Sequence, residues 1–138
     1  MSVQFTIALV LSIICLATPA WADNEAGLDA CEHGDYATAV KEWRALAEQG
    51  DVIAQFDLGH MYQLGEGVQQ DFVQARSLYE QAAAKGHSRA QRHLGSLFAT
   101  GRGVPQDYHK ALFWYRRAAD QKDATAQVQS GRHRPHKL

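Results

Sequence analysis

The residues from Asp51 to Lys122 are one unit written twice, and this self-similarity constrains the fold more than any other feature of the chain. A shift of 36 residues carries Ala54-Gln55 onto Ala90-Gln91, Leu58-Gly59 onto Leu94-Gly95, and Gly65, Gly67 and Val68 onto Gly101, Gly103 and Val104. It also carries Asp71, Ala75, Tyr79 and Ala82-Ala83 onto Asp107, Ala111, Tyr115 and Ala118-Ala119. Aligning 51–86 with 87–122 gives 13 identities in 36 positions, where average composition gives roughly 2 by chance. A fixed period of this length signals a solenoid of helical hairpins, because one hairpin cannot bury its apolar face alone and stacked neighbours supply the core.

Within the first unit, Ala54, Leu58, Met61 and Tyr62 form a helical stripe, which predicts a helix A over about Val52 to Leu64. Gly59 is the small residue that lets a neighbouring helix come close. Gly65-Glu66-Gly67 breaks the helix, and Gly67 and Gly103 are expected to take positive φ there. Val68 then tucks into the hairpin, and Asp71 stands where an N-cap acid belongs. Helix B continues to Lys85 with Ala75, Leu78, Tyr79, Ala82 and Ala83 inward, and Gly86 closes the unit. The second unit is heavier: Phe98 replaces Tyr62, Trp114 replaces Leu78, and Pro105 stiffens the loop.

An earlier, less regular unit precedes these two. Ala39, Trp43, Leu46 and Ala47 are in register with Ala75, Tyr79, Ala82 and Ala83, so Tyr36 to Gln49 reads as its helix B and Glu25 to His33 as its helix A. Gly34-Asp35 is the turn between them, and Gly50 ends the second helix. A further unit begins at Asp123, with Ala126-Gln127 in register, but the expected Leu-Gly is absent. The expectation is therefore an all-α, right-handed α-solenoid. Its hairpins occupy 23–50, 51–86 and 87–122, with a capping turn and basic tail over 123–138. Trp43, Tyr79, Trp114 and Tyr115 are expected to supply most of the buried area.

The order Ala-x-x-x-Leu-Gly-x-x-Tyr/Phe-x-x-Gly-x-Gly-Val-x-x-Asp-x-x-x-Ala-x-x-x-Tyr-x-x-Ala-Ala resembles the Sel1-like repeat, a relative of the tetratricopeptide repeat. The resemblance covers both complete units. It implies a scaffold or adaptor, in bacterial members often in envelope signalling or assembly, and it names no reaction. One secreted branch of that family staples each repeat with a cysteine pair and includes β-lactam-interacting proteins. The helices here have no such pairs, which counts against that alternative.

The first 22 residues carry no charged side chain, and Val3 to Ala17 is an apolar run of 15 residues, short for a membrane span. Ala20-Trp21-Ala22 follows as an A-x-A cleavage pattern. Residues 1–22 thus read as a cleavable signal peptide, with a mature chain from Asp23 in the periplasm or secreted and no membrane span after cleavage. Cys31 is then the one cysteine left, so no intrachain disulfide is expected. It reads as a small residue packed inside a helix, with a reactive or dimer-forming thiol as the alternative.

Fourteen Lys and Arg against fifteen Asp and Glu leave the chain almost uncharged, which does not mark a nucleic-acid binder. No phosphate loop, Ser-His-Asp set or convergent carboxylate pair is visible, so no enzyme, cofactor or metal site is expected. The seven histidines, at 33, 60, 87, 93, 109, 133 and 136, read as solvated surface residues. The tail with Arg132, Arg134 and Lys137 reads as a solubilising terminus, and a polysaccharide- or lipid-binding adaptor driven by it is the alternative.

The partner surface is placed by elimination on helix A. Phe56, His60 and Gln63 lie away from the packing stripe, and Arg92, Ser96 and Ala99 are their equivalents one unit later. These positions differ between units while the packing positions agree, as on a scaffold that varies its recognition face. A protein or peptide partner on the concave A-helix face is expected. For Phe56 alone, a packing contact with the preceding helix B near Trp43 is the competing reading.

Overall fold

A computed structural model of the chain describes residues 20–121. Six helices of 13 residues follow one another: α1 (Ala20–Glu32), α2 (Tyr36–Glu48), α3 (Val52–Leu64), α4 (Phe72–Ala84), α5 (Ser88–Thr100) and α6 (Tyr108–Asp120). Each packs against the next in the chain, and no strand occurs among the described residues. The odd helices are the A helices and the even ones the B helices of three hairpins. α1 begins at Ala20 and so spans the predicted cleavage pattern. The predicted apolar leader and the capping turn and tail after Lys122 lie outside the described residues.

Side-chain caps start the helices with an alternating pattern. Asp71 accepts from the N–H groups of Val73 and Gln74 before α4, and Asp107 accepts from those of His109 and Lys110 before α6. Asp51 caps α3 through the N–H of Ala54. At the equivalent place before α5 the cap is an imidazole: His87 Nδ1 accepts from the N–H of Ala90 at 3.2 Å. Each cap satisfies N–H groups that have no partner inside the helix.

The A helices end on Gly65 and Gly101, both left-handed, with φ of 73° and 68°. The expected positive φ at Gly67 and Gly103 is present at 69° each, but two residues beyond the helix ends. There the second glycine does more than turn the chain. Its missing Cβ lets the loop sit on the first residue of the preceding unit's helix B: Tyr36 for Gly67 and Phe72 for Gly103.

The hairpins cross where a glycine of helix A meets the aromatic of helix B. A Cβ on Gly59 would stand 2.9 Å from Tyr79 Cε1, and one on Gly95 would stand 3.1 Å from Tyr115. Gly27 holds the same place in the first hairpin, against the Trp43 indole. The 36-residue register hides this equivalence, because residues 33–35 join α1 to α2 where residues 65–71 join α3 to α4. Trp43 then donates its indole N–H to Asn24 Oδ1 at 3.1 Å.

The core forms two connected clusters, one around Trp43 and one around Tyr79. Between hairpins the link is polar. Gln55 and Gln91 are buried, and each donates its amide N–H to a carbonyl near the end of the preceding helix B, Ala47 or Ala83, at 3.3 and 3.1 Å. Their oxygens take a donor from the residue that ends their own hairpin, Lys85 at 3.4 Å and Gln121 at 2.8 Å. These glutamines explain the repeated Ala-Gln: alanine fits the helix contact, and glutamine gives a second donor to a helix-end carbonyl that also takes the N–H of Gly50 or Gly86.

Trp114 and Tyr115 are only half-buried, contrary to the sequence expectation, and Tyr108 and Phe113 are 68% and 51% exposed. The reason is position. Phe72, Ser77, Leu78 and Tyr79 hold the corresponding places on α4, and α5 packs over that helix. Among the described residues no helix follows α6.

Candidate functional site

The six positions singled out in the sequence lie on α3 and α5, which are neighbours across the A-helix layer. Phe56 is 8% exposed, whereas His60, Gln63, Arg92, Ser96 and Ala99 are all half-buried. Phe56 does not pack against Trp43, as the competing reading had it. It belongs to the other cluster, with Tyr79 of its own hairpin at 5.8 Å and His87 and His93 of the next at 4.9 and 5.3 Å between ring centroids.

The histidines require a second correction. His60, His87 and His93 are not scattered solvated residues, because all three surround the Phe56 ring. His60 lies nearly parallel to it at 6.1 Å, with 8° between planes, and His93 meets His60 edge-on at 5.5 Å. Stacking of successive A helices brings them together. Residues separated by about one period become lateral neighbours, as His60 and His93 do. The spacing of His60 and His93, 33 residues and so close to one 36-residue period, carries that signal in the sequence.

Gln63 is committed rather than free. Its Oε1 accepts from the Tyr79 hydroxyl at 2.6 Å and faces His93 Nδ1 at 3.3 Å. Since that oxygen can only accept, His93 carries its proton on Nδ1 and leaves Nε2 as an open acceptor. Arg92 Nη2 stands 3.5 Å from that Nε2. The Nε of Arg92 is buried and has no hydrogen-bond partner. The half-buried guanidinium thus carries a donor without an acceptor.

Charges around this patch oppose one another. Burial pushes the imidazole of His93 down to about 4, helped by Arg92, and burial also lowers His60 and His87. Burial raises the carboxyl of Asp57 to about 6 against the pull of Arg89. The buried Tyr79 phenol is likewise raised. Cys31 on α1 is partly buried, and its thiol is raised by burial first and by Glu66 and Asp57 next.

Asp57 gives a pH-dependent prediction. Its folded-state value lies above the ordinary carboxylate value of 3.8, so its contribution to stability is present in acid and lost as pH rises through about 6. Asp57→Asn is expected to stabilise the protein at neutral pH by about 1 kcal/mol, after allowing for solvent screening of a partly exposed group. In acid the two proteins should converge. The depressed histidines act in the opposite sense, losing stability as pH falls below 6.5. Urea midpoints at both pH values check this, and a wild type more stable than Asp57→Asn at neutral pH contradicts it.

Among the described residues no group of three or more His, Cys, Asp or Glu is placed to hold a metal ion, and no helix is long and apolar enough to cross a membrane. The fold and the surface together define a class: a helical-repeat solenoid that carries a polar-aromatic patch on one layer of helices. The Sel1 repeat family matches residues 52–87 and 88–123, and the chain belongs to that family. The structure is similar to the crystal structure of a protective antigen of uropathogenic Escherichia coli with an SLR fold. That similarity has a TM-score of 0.76 and 35% identity over 85% of this chain and 26% of that one. It is also similar to a Sel1 repeat protein from Oxalobacter formigenes, with a TM-score of 0.74 and 33% identity over 84% and 51% of the two chains. The Helicobacter pylori cysteine rich protein B shares the fold at 18% identity and a TM-score of 0.62, over 81% of this chain and 97% of that one. The chain therefore spans about a quarter and about half of the first two. A search of curated proteins gave no significant match. Sel1 repeat proteins generally mediate protein–protein interaction, and the family is in general a non-catalytic scaffold.

Proposed function

We propose that this protein is an exported adaptor of the bacterial envelope that binds a protein or peptide partner on the concave face lined by α3 and α5. The observation that carries the reading is the Phe56–His60–His93–Arg92 patch. It occupies the positions that vary between otherwise matching repeats, and it keeps an unspent guanidinium donor at its centre. Conserving packing while varying such positions lets one scaffold acquire a specific partner. Export rests on the uncharged apolar leader and on Ala20-Trp21-Ala22.

Two measurements test the proposal. Intact mass of the exported protein should correspond to a chain starting at Asp23, and a retained Met1 in the mature pool would remove the export step. A photo-crosslinking residue at Ser96 should capture a partner in the native envelope, whereas one at the exposed Arg116 of α6 should not. Equal capture from Arg116 would move the partner surface off the A helices.

A further inference from the structure

We infer that the patch of Phe56, His60, Arg92 and His93 binds acidic peptide segments, and that protons gate it, so that a segment is held in mildly acidic surroundings and released near neutrality. The inference rests on the proposed A-helix partner surface and adds the chemistry of the partner and its regulation.

The geometry supplies an incomplete anion site. The Nε of Arg92 is buried and without an acceptor, and its Nη2 reaches only the open nitrogen of His93, at 3.5 Å. A carboxylate set between them would accept from Arg92 and, once His93 is protonated, from His93 Nε2 as well. His60 stands at the edge of His93, 5.5 Å away, so the same carboxylate would neutralise both imidazolium ions. The half-buried His60 ring, backed in near-parallel fashion by the buried Phe56, offers an apolar face to the rest of a peptide, which a small free anion would leave unused.

The charges that face the patch set the direction of gating. From α3 and its following loop come Asp57 and Glu66, from α5 come Arg89 and Arg92, and α4 contributes the buried, neutral Tyr79. Near neutral pH two guanidinium groups face two carboxylates and the imidazoles are uncharged, so the patch has no net attraction for an anion. Acidification neutralises Asp57 near pH 6. It then lets the imidazoles take up protons, which a bound carboxylate favours by facing them. The patch passes from balanced to cationic, and binding takes up protons as linkage requires.

The test is fluorescence anisotropy with a rhodamine-labelled hexapeptide of alternating glutamate and phenylalanine, at constant ionic strength. Wild-type protein should bind it roughly tenfold more tightly at about pH 5.5 than at about pH 7.5. Arg92→Gln should abolish binding at both pH values, and His60→Gln with His93→Gln should remove most of the pH dependence. Asp57→Asn should strengthen binding at the higher pH, because it removes one opposing charge without acid. His109→Gln, on the exposed surface of α6, should behave as wild type and so report on general charge effects. Far-UV circular dichroism at both pH values checks folding. If the double histidine variant unfolds, His60→Gln alone and Asp57→Asn still decide the matter.

Equal affinity at the two pH values, no binding at either, or wild-type binding by Arg92→Gln overturns the inference. Inorganic phosphate competing as well as unlabelled peptide at equal ionic strength overturns it too, since the site would then be a free-anion site. If the envelope partner crosslinks from Ser96 equally at both pH values, the A-helix surface stands and the gating falls. If it crosslinks only from Arg116, the surface itself is misplaced.

Discussion

Gly103→Ala is expected to destabilise the protein by about 3 kcal/mol, and Gly67→Ala by a similar amount, although each adds one methyl group in a surface loop. Two costs combine. A left-handed backbone costs an L side chain about 1–2 kcal/mol, and both residues sit at φ 69°. The new Cβ would also stand 2.5 Å from the Phe72 carbonyl oxygen for Gly103, and would overlap that of Tyr36 for Gly67. Backbone at a helix start cannot swing aside as a side-chain tip can, so this overpacking adds about 1–3 kcal/mol. Gly86→Ala separates the two causes: its φ is 91°, yet a Cβ there meets nothing within 4 Å. It should lose only about 1 kcal/mol, the backbone cost alone. Urea midpoints for the three variants test this. Gly103→Ala no worse than Gly86→Ala would show that the loop does not dock on the preceding hairpin.

Tyr79→Ala should be still more damaging, at about 4 kcal/mol, a large share of the stability of a small domain. The residue is 0% exposed and sits at the junction of three elements. Its ring fills the place vacated by the missing Cβ of Gly59, touches Phe56 at 5.8 Å and His93 at 5.3 Å, and lies in the cluster that joins the second and third hairpins. Tyr79→Phe keeps that packing and removes only the hydroxyl that donates to Gln63 at 2.6 Å. It should cost about 1–2 kcal/mol, because Gln63 retains His93 as a second donor. Thermal or urea denaturation of the pair distinguishes ring packing from hydrogen bonding. A Phe variant as unstable as the Ala variant would mean that the hydroxyl, not the ring, holds the junction. The same Gln63 contact makes Gln63→Ala unsuitable as a surface mutation, since it would strand a buried phenol.

The helices themselves were legible in the sequence, and for a local reason. Apolar spacing, capping acids and glycines act within one or two turns. Val52–Leu64 and Tyr36 as the start of the second helix follow from them directly. The helix count and the all-α repeat architecture follow from the period. The A helix of the first hairpin was harder to place, because its loop is shorter than the others and Gly27 falls out of register with Gly59. The buried glutamines were visible as a repeated residue without a visible reason. Their reason is a carbonyl on another helix, Ala47 O or Ala83 O.

The candidate site was legible only in part. Variation between repeats pointed to Phe56, His60, Gln63, Arg92, Ser96 and Ala99, and the structure sets them on adjacent helices. It divides them by use. Phe56 and Gln63 are occupied by neighbours, while Arg92 keeps a donor without an acceptor.

By itself, the sequence determined the repeat, its helices, the acids that cap the B helices and the inward stripes, because each depends on residues a few positions apart; the imidazole cap at His87 it did not reveal. Only the tertiary structure decided that His60, His87 and His93 share one aromatic neighbour, that burial raises the carboxyl of Asp57 against the pull of Arg89, and that Gly67 and Gly103 are contact points between hairpins. Those facts join residues about one repeat apart. Their proximity arises when helices stack side by side, and so does the loss of water that moves their protons.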